Sequence, residues 1–182
     1  MGTRARQAAF SINGGIAGLT GDGSEYWNRG FTAGGNGFFT ISSYVMLGVR
    51  VSYSRWTPDD DMLVGDLGYA GIDWEVSGSR SAVEIAPSLR FLAPASEASP
   101  VTFFAQIGVG LYILDAETAI TASYAGRTET YTGKRSEDRI GVTFGAGIDI
   151  GYIEILPLYT VVATDEESTG YYSISAGAVF SF

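Results

Sequence analysis

The closing stretch of the chain, Tyr171-Tyr172-Ser173-Ile174-Ser175-Ala176-Gly177-Ala178-Val179-Phe180-Ser181-Phe182, alternates between two kinds of side chain. Apolar residues hold every even position from 172 to 182, and serine or glycine holds most of the odd ones. Since successive side chains of a strand point to opposite faces, this period of two predicts a β-strand. One face of that strand is apolar, and the other is small and mostly polar.

The same alternation recurs along the whole chain. It is clear in residues 101–114 and 140–150, and it is weakest in 152–162, where Leu156 and Leu158 interrupt it. No segment shows a convincing helical period. We therefore predict an all-β fold of eight strands, which span residues 8–18, 30–41, 44–55, 81–92, 101–114, 140–150, 152–162 and 171–182.

The links between these strands alternate in length. Short links lie at Ser42-Ser43, 94–100 and Gly151, and long polar ones lie at 19–29, 57–80, 115–139 and 163–170. This alternation predicts an antiparallel up-and-down barrel with short turns at one end and long loops at the other. Both chain termini then lie at the turn end.

Composition limits the function. The chain has 182 residues, and 20 acidic against 11 basic side chains give a net charge of −9. It has no Cys and no His, which excludes disulfides, a Cys/His zinc site and the Ser-His-Asp triad. So acidic a chain suits nucleic acid poorly, because phosphate binding needs a basic face. We expect no enzyme activity, no catalytic residue and no cofactor.

A chain of this length forms about one domain, which we place at residues 8–182. Residues 1–7 are polar, and no apolar signal sequence follows Met1. We expect them to be a flexible N-terminal segment, added in part for expression, ahead of a mature exported chain.

The alternation is compatible with two kinds of barrel. One is water-soluble with an apolar interior, and the other is transmembrane with an apolar exterior. The bulky apolar residues outnumber what a small interior could hold, and Lys134 is the only lysine available to a solvated exterior. The predicted strands also match the length of about 9–11 residues that a tilted membrane strand needs. We predict that the apolar face points outward, into lipid.

Three segments carry a family resemblance. They are the closing stretch 171–182, with its terminal aromatic residue, and the glycine-punctuated stretches 103–112 and 145–150. In these the chain resembles the small eight-stranded outer-membrane β-barrels of Gram-negative bacteria, the OmpA transmembrane domain and OmpX-like superfamily. The resemblance implies a monomeric, integral outer-membrane protein with porin-like architecture, periplasmic termini and surface-exposed loops.

The resemblance also implies partners. The barrel would contact outer-membrane lipid and lipopolysaccharide, and a surface ligand would bind through loops 57–80 and 115–139. In the family, an aromatic-ended last strand is recognised by the barrel-assembly machinery. The residues that match this assembly signal are Tyr172, Ile174, Phe180 and Phe182.

Five charged residues fall on the polar, inward face of the predicted strands: Arg50, Glu84, Arg90, Asp149 and Glu154. A paired network that fills the lumen is one interpretation, and a gate in a narrow conduit is the other. We favour the network, because eight strands enclose room for little more than side chains and an unpaired buried charge is costly.

The loops offer two further candidates. Asp59, Asp60 and Asp61 could hold a divalent cation, but they lack the EF-hand spacing, and we favour a solvated acidic loop there and at 165–167. In loop 115–139, alternating hydroxyl and tyrosine residues over 118–132 predict a hairpin that continues beyond the membrane. That hairpin either binds a partner or simply extends the barrel.

Aromatic residues gather near both ends of the strands, which is typical of the girdles of membrane barrels. We assign Trp27, Trp56 and Trp74, with Tyr26 and Tyr69, to the loop end. The turn-end girdle comprises Phe10, Phe91 and Phe103, with Phe39, Phe180 and Phe182.

These features predict a structural or adhesion-like role at the cell surface. The alternative is a narrow passive channel for ions or small, even hydrophobic, solutes.

Overall fold

The computed structural model describes residues 8–67, 72–94, 99–163 and 169–182. Their eight strands form a closed antiparallel barrel in the order β1 to β8, with β8 paired to β1. The strands are β1 Ala8–Thr20, β2 Gly30–Ser42, β3 Val45–Trp56, β4 Asp73–Pro94, β5 Val101–Tyr124, β6 Arg127–Ile150, β7 Ile153–Val162 and β8 Thr169–Ser181. The predicted all-β, eight-stranded fold is confirmed. Residues 1–7, Tyr69 and the acidic run 165–167 lie outside the described residues.

The wall separates its two faces as the alternation predicts. Large apolar side chains such as Ile12, Val51 and Phe144 are about half exposed on the outer face, whereas serine, asparagine and charged residues are buried on the inner face. Closure pairs each strand on both sides, so the barrel portion leaves no open sheet edge to meet lipid. The apolar exterior is confirmed.

The turn that joins β5 to β6 shows why particular residues are needed there. Ala125 and Gly126 form the two-residue connection with φ of 50° and 74°, the left-handed geometry that matches the twist of a hairpin. Between β6 and β7, Gly151 alone has a positive φ, of 63°.

Three strands run well past the predicted limits. β4, β5 and β6 have 22, 24 and 24 residues, and residues 73–80, 115–124 and 127–139 continue beyond the barrel as a three-stranded projecting sheet. The expected hairpin over 118–132 is present, but the prediction that all of 57–80 is a loop is wrong. Residues 73–80 carry polar side chains on the outer face, and their strand conformation depends on pairing with β5.

Two short helices correct the prediction of none. α1 spans Asp60–Leu67, and a 3₁₀ turn spans Ser24–Tyr26. At eight residues, α1 is too short for its period to emerge from sequence. In the described parts of the chain, no helix is long and apolar enough to cross a membrane.

Candidate functional site

The lumen holds a buried polar site built on strands β3 and β4. Glu84 is 1% exposed, and its carboxylate accepts hydrogen bonds from Arg50 Nε at 3.1 Å and Ser52 Oγ at 2.7 Å. Tyr112 on β5 donates its hydroxyl proton to the other carboxylate oxygen at 3.2 Å. The guanidinium charge and two hydroxyl donors together compensate a carboxylate that would otherwise be costly to bury.

A second ion pair crosses the lumen toward β7. Arg90 Nη1 lies 2.7 Å from Glu154 Oε2, and both side chains are buried. Arg90 also donates from Nε and Nη2 to Gln106 Oε1, at 3.2 and 2.8 Å. Its guanidinium carbon lies 4.4 Å from the ring centroid of Phe38 and 4.0 Å from that of Phe104, so two aromatic faces add cation–π stabilisation.

Asn36 on β2 connects the two ion pairs. Its Nδ2 donates to Ser11 Oγ at 2.9 Å, and its Oδ1 accepts from Arg50 Nη1 at 3.4 Å. Ser11 Oγ in turn donates to Glu154 Oε1 at 3.1 Å. The lumen network therefore runs without a break from β4, through β3, β2 and β1, to β7.

The structure buries all five charged residues predicted for the lumen, and Arg50–Glu84 and Arg90–Glu154 form ion pairs. Asp149, 2% exposed, lies opposite Glu154 in the β6–β7 register. The hydrogen-bonding role of Tyr112 was not anticipated, and neither was the linking role of Asn36. The inward parity of Asn36 is visible in the sequence, but which residues meet across the lumen depends on the stagger between strands, which the sequence pattern does not contain.

Apolar layers close the lumen on both sides of this network. Toward the loop end, Trp56, Tyr112 and Tyr171 pack together with Ala17, Ala82 and Val162. Toward the turn end, Ala9, Phe38 and Met46 are buried together, and Phe104, Leu156 and Leu158 form a further buried cluster beside the network. The polar centre is thus held between two apolar layers, an arrangement suited to a rigid plug.

The interior glycines do not open a passage through this plug. A Cβ added at Gly108 would lie 2.5 Å from Ser88 Oγ, and one at Gly110 would lie 2.5 Å from Ala86 Cα. Glycine is required at these positions because the neighbouring strand approaches closely, so the space it leaves is already filled.

The tryptophan assignment to a girdle is wrong. Trp56 is 1% exposed and points into the lumen, where its ring packs edge-on against Tyr171 at 5.3 Å. Trp27 is half-buried over the same cluster, and Trp74 is half-buried on the face of the projecting sheet that continues the barrel interior. Whether a tryptophan in a strand has an odd or an even position decides which side of the wall it occupies, and its distance from a loop does not.

The outer wall carries its aromatic residues elsewhere. Phe10, Phe91 and Phe103 are 46%, 45% and 52% exposed on the outside near the turn end, where the sequence placed them. Further toward the loop end, Phe31 packs against Tyr53 on the outer wall, with ring centroids 5.9 Å apart. Of the assembly-signal residues, Ile174, Phe180 and Phe182 are exposed on the outer face of β8, and Tyr172 is half-buried.

The acidic candidate at the start of the second loop is a helix cap. Asp59 Oδ1 accepts the backbone N–H of Met62 at 3.2 Å, and Asp60 and Asp61 occupy the first turn of α1. Carboxylates there satisfy free N–H groups and oppose the positive end of the helix dipole. No three carboxylate, His or Cys side chains in the described residues are arranged to hold a metal ion.

The projecting sheet is polar on its outer face. Cross-strand hydroxyl pairs Thr121–Thr130 and Ser123–Thr128 are each 3.1 Å apart. On the other face, Tyr131 donates a hydrogen bond to Glu129 at 2.8 Å, which raises the pKa of the Tyr131 phenol. At the base of the sheet, burial lowers the pKa of Arg80. The sheet therefore presents rows of hydroxyl and charged groups.

No family model and no curated protein matches the sequence. Solved structures do match the fold. A major outer membrane protein from Thermus thermophilus has a TM-score of 0.55 and 16% identity, over 95% of this chain and 99% of that one. Neisserial surface protein A has a TM-score of 0.51 and 14% identity, over 99% and 100% of the two chains.

Ail, the attachment invasion locus protein of Yersinia pestis, was solved with the heparin analogue sucrose octasulfate. It has a TM-score of 0.50 and 16% identity, over 96% of this chain and 99% of that one. The chain has the fold of the small eight-stranded outer-membrane β-barrels. At these identities the likeness concerns the fold alone.

Proposed function

We propose that this chain is an integral outer-membrane protein of a Gram-negative bacterium, and that it acts at the cell surface through its loop end. The plugged lumen carries this proposal. A chain of hydrogen bonds from Glu84 to Glu154 fills the polar centre, and apolar layers close both sides. A barrel filled in this way serves as a rigid membrane anchor. The surfaces that act are then the loops and the projecting sheet outside the membrane.

The outer wall supports the membrane placement. Its band of exposed apolar side chains matches the surface that lipid covers in such barrels, and the aromatic residues Phe10, Phe91 and Phe103 lie at its turn-end border. We place the termini and short turns in the periplasm, the four long connections outside, and lipid and lipopolysaccharide against the wall. We further propose that β8 presents Phe180 and Phe182 to the barrel-assembly machinery, and that the barrel is a monomer within its own membrane.

The surface ligand would bind within residues 57–80 and 115–139, which include the projecting sheet and the acidic connection that leads into β4. In sequence, residues 57–78 carry a charge of −6 and residues 115–139 a charge of −1. Ail was solved with a sulfated ligand, but an acidic rim repels polyanions. We therefore propose a protein surface as the partner, recognised by the paired hydroxyl and charged rows of the sheet.

Planar-bilayer recording separates this function from the passive channel. We expect no single-channel current from the intact protein, and none from the variants Arg90→Ala and Glu84→Ala. Steady unitary currents from the intact protein would favour the channel instead. A chain lacking residues 118–132 should keep its heat-dependent mobility on SDS gels, which reports a folded barrel, but lose surface binding. Unchanged binding would remove the surface-interaction proposal.

A further inference from the structure

The projecting sheet has one open edge. β6 pairs with β5 up to Arg127, but its pairing with β7 ends at Gly141 opposite Val162, where Ala163 N–H donates to the Ile140 carbonyl at 3.1 Å. Within the described residues, no strand lies beside residues 127–138 on that side. Because alternate residues direct their backbone groups to the same edge, the even positions 128–138 present N–H and C=O groups there.

We propose that this edge binds the same edge of a second copy of the chain, held in an opposed membrane, so that the protein acts as a homophilic contact between two cells. The inference rests on the proposed function, since it needs a membrane barrel with its loop end outside. It names the partner of the projecting sheet as the chain itself.

Charge complementarity selects the register of the pair. When two β6 edges pair antiparallel about a two-fold axis at Thr132, Arg127 faces Glu137 of the second copy, and Glu129 faces Arg135 of the second copy. Symmetry repeats both contacts, which gives four facing pairs of opposite charge. Opposite charges directly across an antiparallel pair stabilise it, and like charges oppose it.

The remaining positions also fit this register. Tyr131, 64% exposed, faces Gly133 of the second copy, and a Cβ added at Gly133 would meet no atom within 4 Å. That open space can accept a tyrosine ring, and an aromatic residue across from a strand glycine is a favourable cross-strand pair. On the other face, Thr130 meets Lys134, and Thr132 meets its own counterpart.

Neighbouring registers place like charges together. Shifting the axis to Gly133 sets Arg127 against Arg139 and Glu129 against Glu137, and shifting it to Tyr131 sets Arg127 against Arg135. An axis at Lys134 makes that lysine face itself. Of these alignments, the one centred on Thr132 is the one in which the facing charges of the two edges are complementary.

The direction of pairing requires opposed membranes. A two-fold axis perpendicular to the sheet lies in the membrane plane, because the barrel wall stands upright in the bilayer, and it therefore inverts the second copy. Two copies in one bilayer would present β6 edges that run in the same direction. Ile140 is the exposed aliphatic residue of β6 that lies nearest the loop end, and Thr132 lies eight residues farther out. This separation places the two apolar surfaces about 40 Å apart.

Clustering of proteoliposomes tests the proposal. The full chain is inserted into phosphatidylcholine vesicles, and the rise in light scattering is followed at low salt. Glu129→Arg and Arg135→Glu each create facing like charges, and each should slow clustering by about tenfold or more, since many weak contacts act together. Glu75→Arg, an equal charge change on β4 two strands away from the edge, is the matched control and should cluster like the unaltered chain.

Mixing the two variants gives the decisive measurement. Glu129→Arg vesicles and Arg135→Glu vesicles, labelled with two dyes, should cluster with each other as fast as unaltered vesicles do, whereas each variant alone clusters slowly, because the mixed pair restores every facing opposite charge. The proposal is overturned if unaltered vesicles stay dispersed, as they would with a foreign protein as partner, or if clustering ignores the charge reversals. Heat-dependent mobility checks insertion on the same vesicles: inserted barrels that do not cluster overturn this inference alone, whereas a chain that does not insert overturns the proposed function as well.

Discussion

Arg90 on β4 and Glu154 on β7 meet across the lumen at 2.7 Å, on strands that are not neighbours in the barrel wall. The pair ties opposite sides of the wall together at its polar centre. Removing one partner leaves the other charge buried and uncompensated, which costs about 3–5 kcal/mol in folded proteins.

Glu154→Gln should therefore lower the free energy of unfolding in urea by about 3 kcal/mol or more. The double variant Arg90→Met/Glu154→Gln should recover part of this loss, because neither partner of the pair is then left as an uncompensated buried charge, and Gln still accepts hydrogen bonds from Ser11 and Asn13. Lys134→Gln is the control, since its partner Glu117 is 4.0 Å away and both side chains are exposed. Equal effects of Glu154→Gln and Lys134→Gln would contradict the role given to the buried pair.

The position of Trp56 predicts its fluorescence. In a chain carrying Trp27→Phe and Trp74→Phe, the remaining indole of Trp56 should resist quenching by lipids brominated on their acyl chains, because it lies inside the wall at 1% exposure. Phe10→Trp, made with Trp56→Phe on that background, places an indole on the outer wall and should be strongly quenched. Strong quenching of Trp56 would restore the girdle assignment.

The N-cap at Asp59 predicts a local loss of stability. Asp59→Ala removes the acceptor for the Met62 N–H, and hydrogen exchange at Met62 and Leu63 should accelerate by roughly tenfold, which corresponds to about 1 kcal/mol. The rest of the barrel should exchange at its usual rate. Adding Ca²⁺ should leave the unaltered chain unchanged, and protection of α1 by Ca²⁺ would reinstate a cation site.

Close strand approach predicts the cost of filling the interior glycines. Gly110→Ala places a Cβ about 2.5 Å from Ala86 Cα, a backbone atom that cannot move aside alone. We expect a loss of about 1–3 kcal/mol in the free energy of unfolding. Gly37→Ala, where a Cβ would meet no atom within 4 Å, should be nearly neutral. A neutral Gly110→Ala would show that the lumen holds more free space than the structure gives it.

The features that the sequence predicts depend on contacts of each residue with its surroundings, whereas the features that it misses depend on contacts between residues far apart in the chain. Apolar alternation marks every barrel strand, because each second residue faces lipid over about ten residues. The outer extension of β4 escapes prediction because Ser77 and Ser79 lie on its water-facing side, where no apolar pattern is needed. Its strand conformation depends on pairing with β5. Helix α1 escapes for a related reason, since its eight residues are stabilised by one cap and by packing on β4.

The sequence by itself determined an eight-stranded barrel with an apolar exterior and a charged interior, because a period of two assigns each side chain to a face whatever the partner strand. Tertiary structure alone decided which interior charges meet and that β6 ends in an open edge. These depend on the stagger between strands and on where each strand loses its neighbour. Both arise when the sheet closes, since one strand's stagger then constrains all the others.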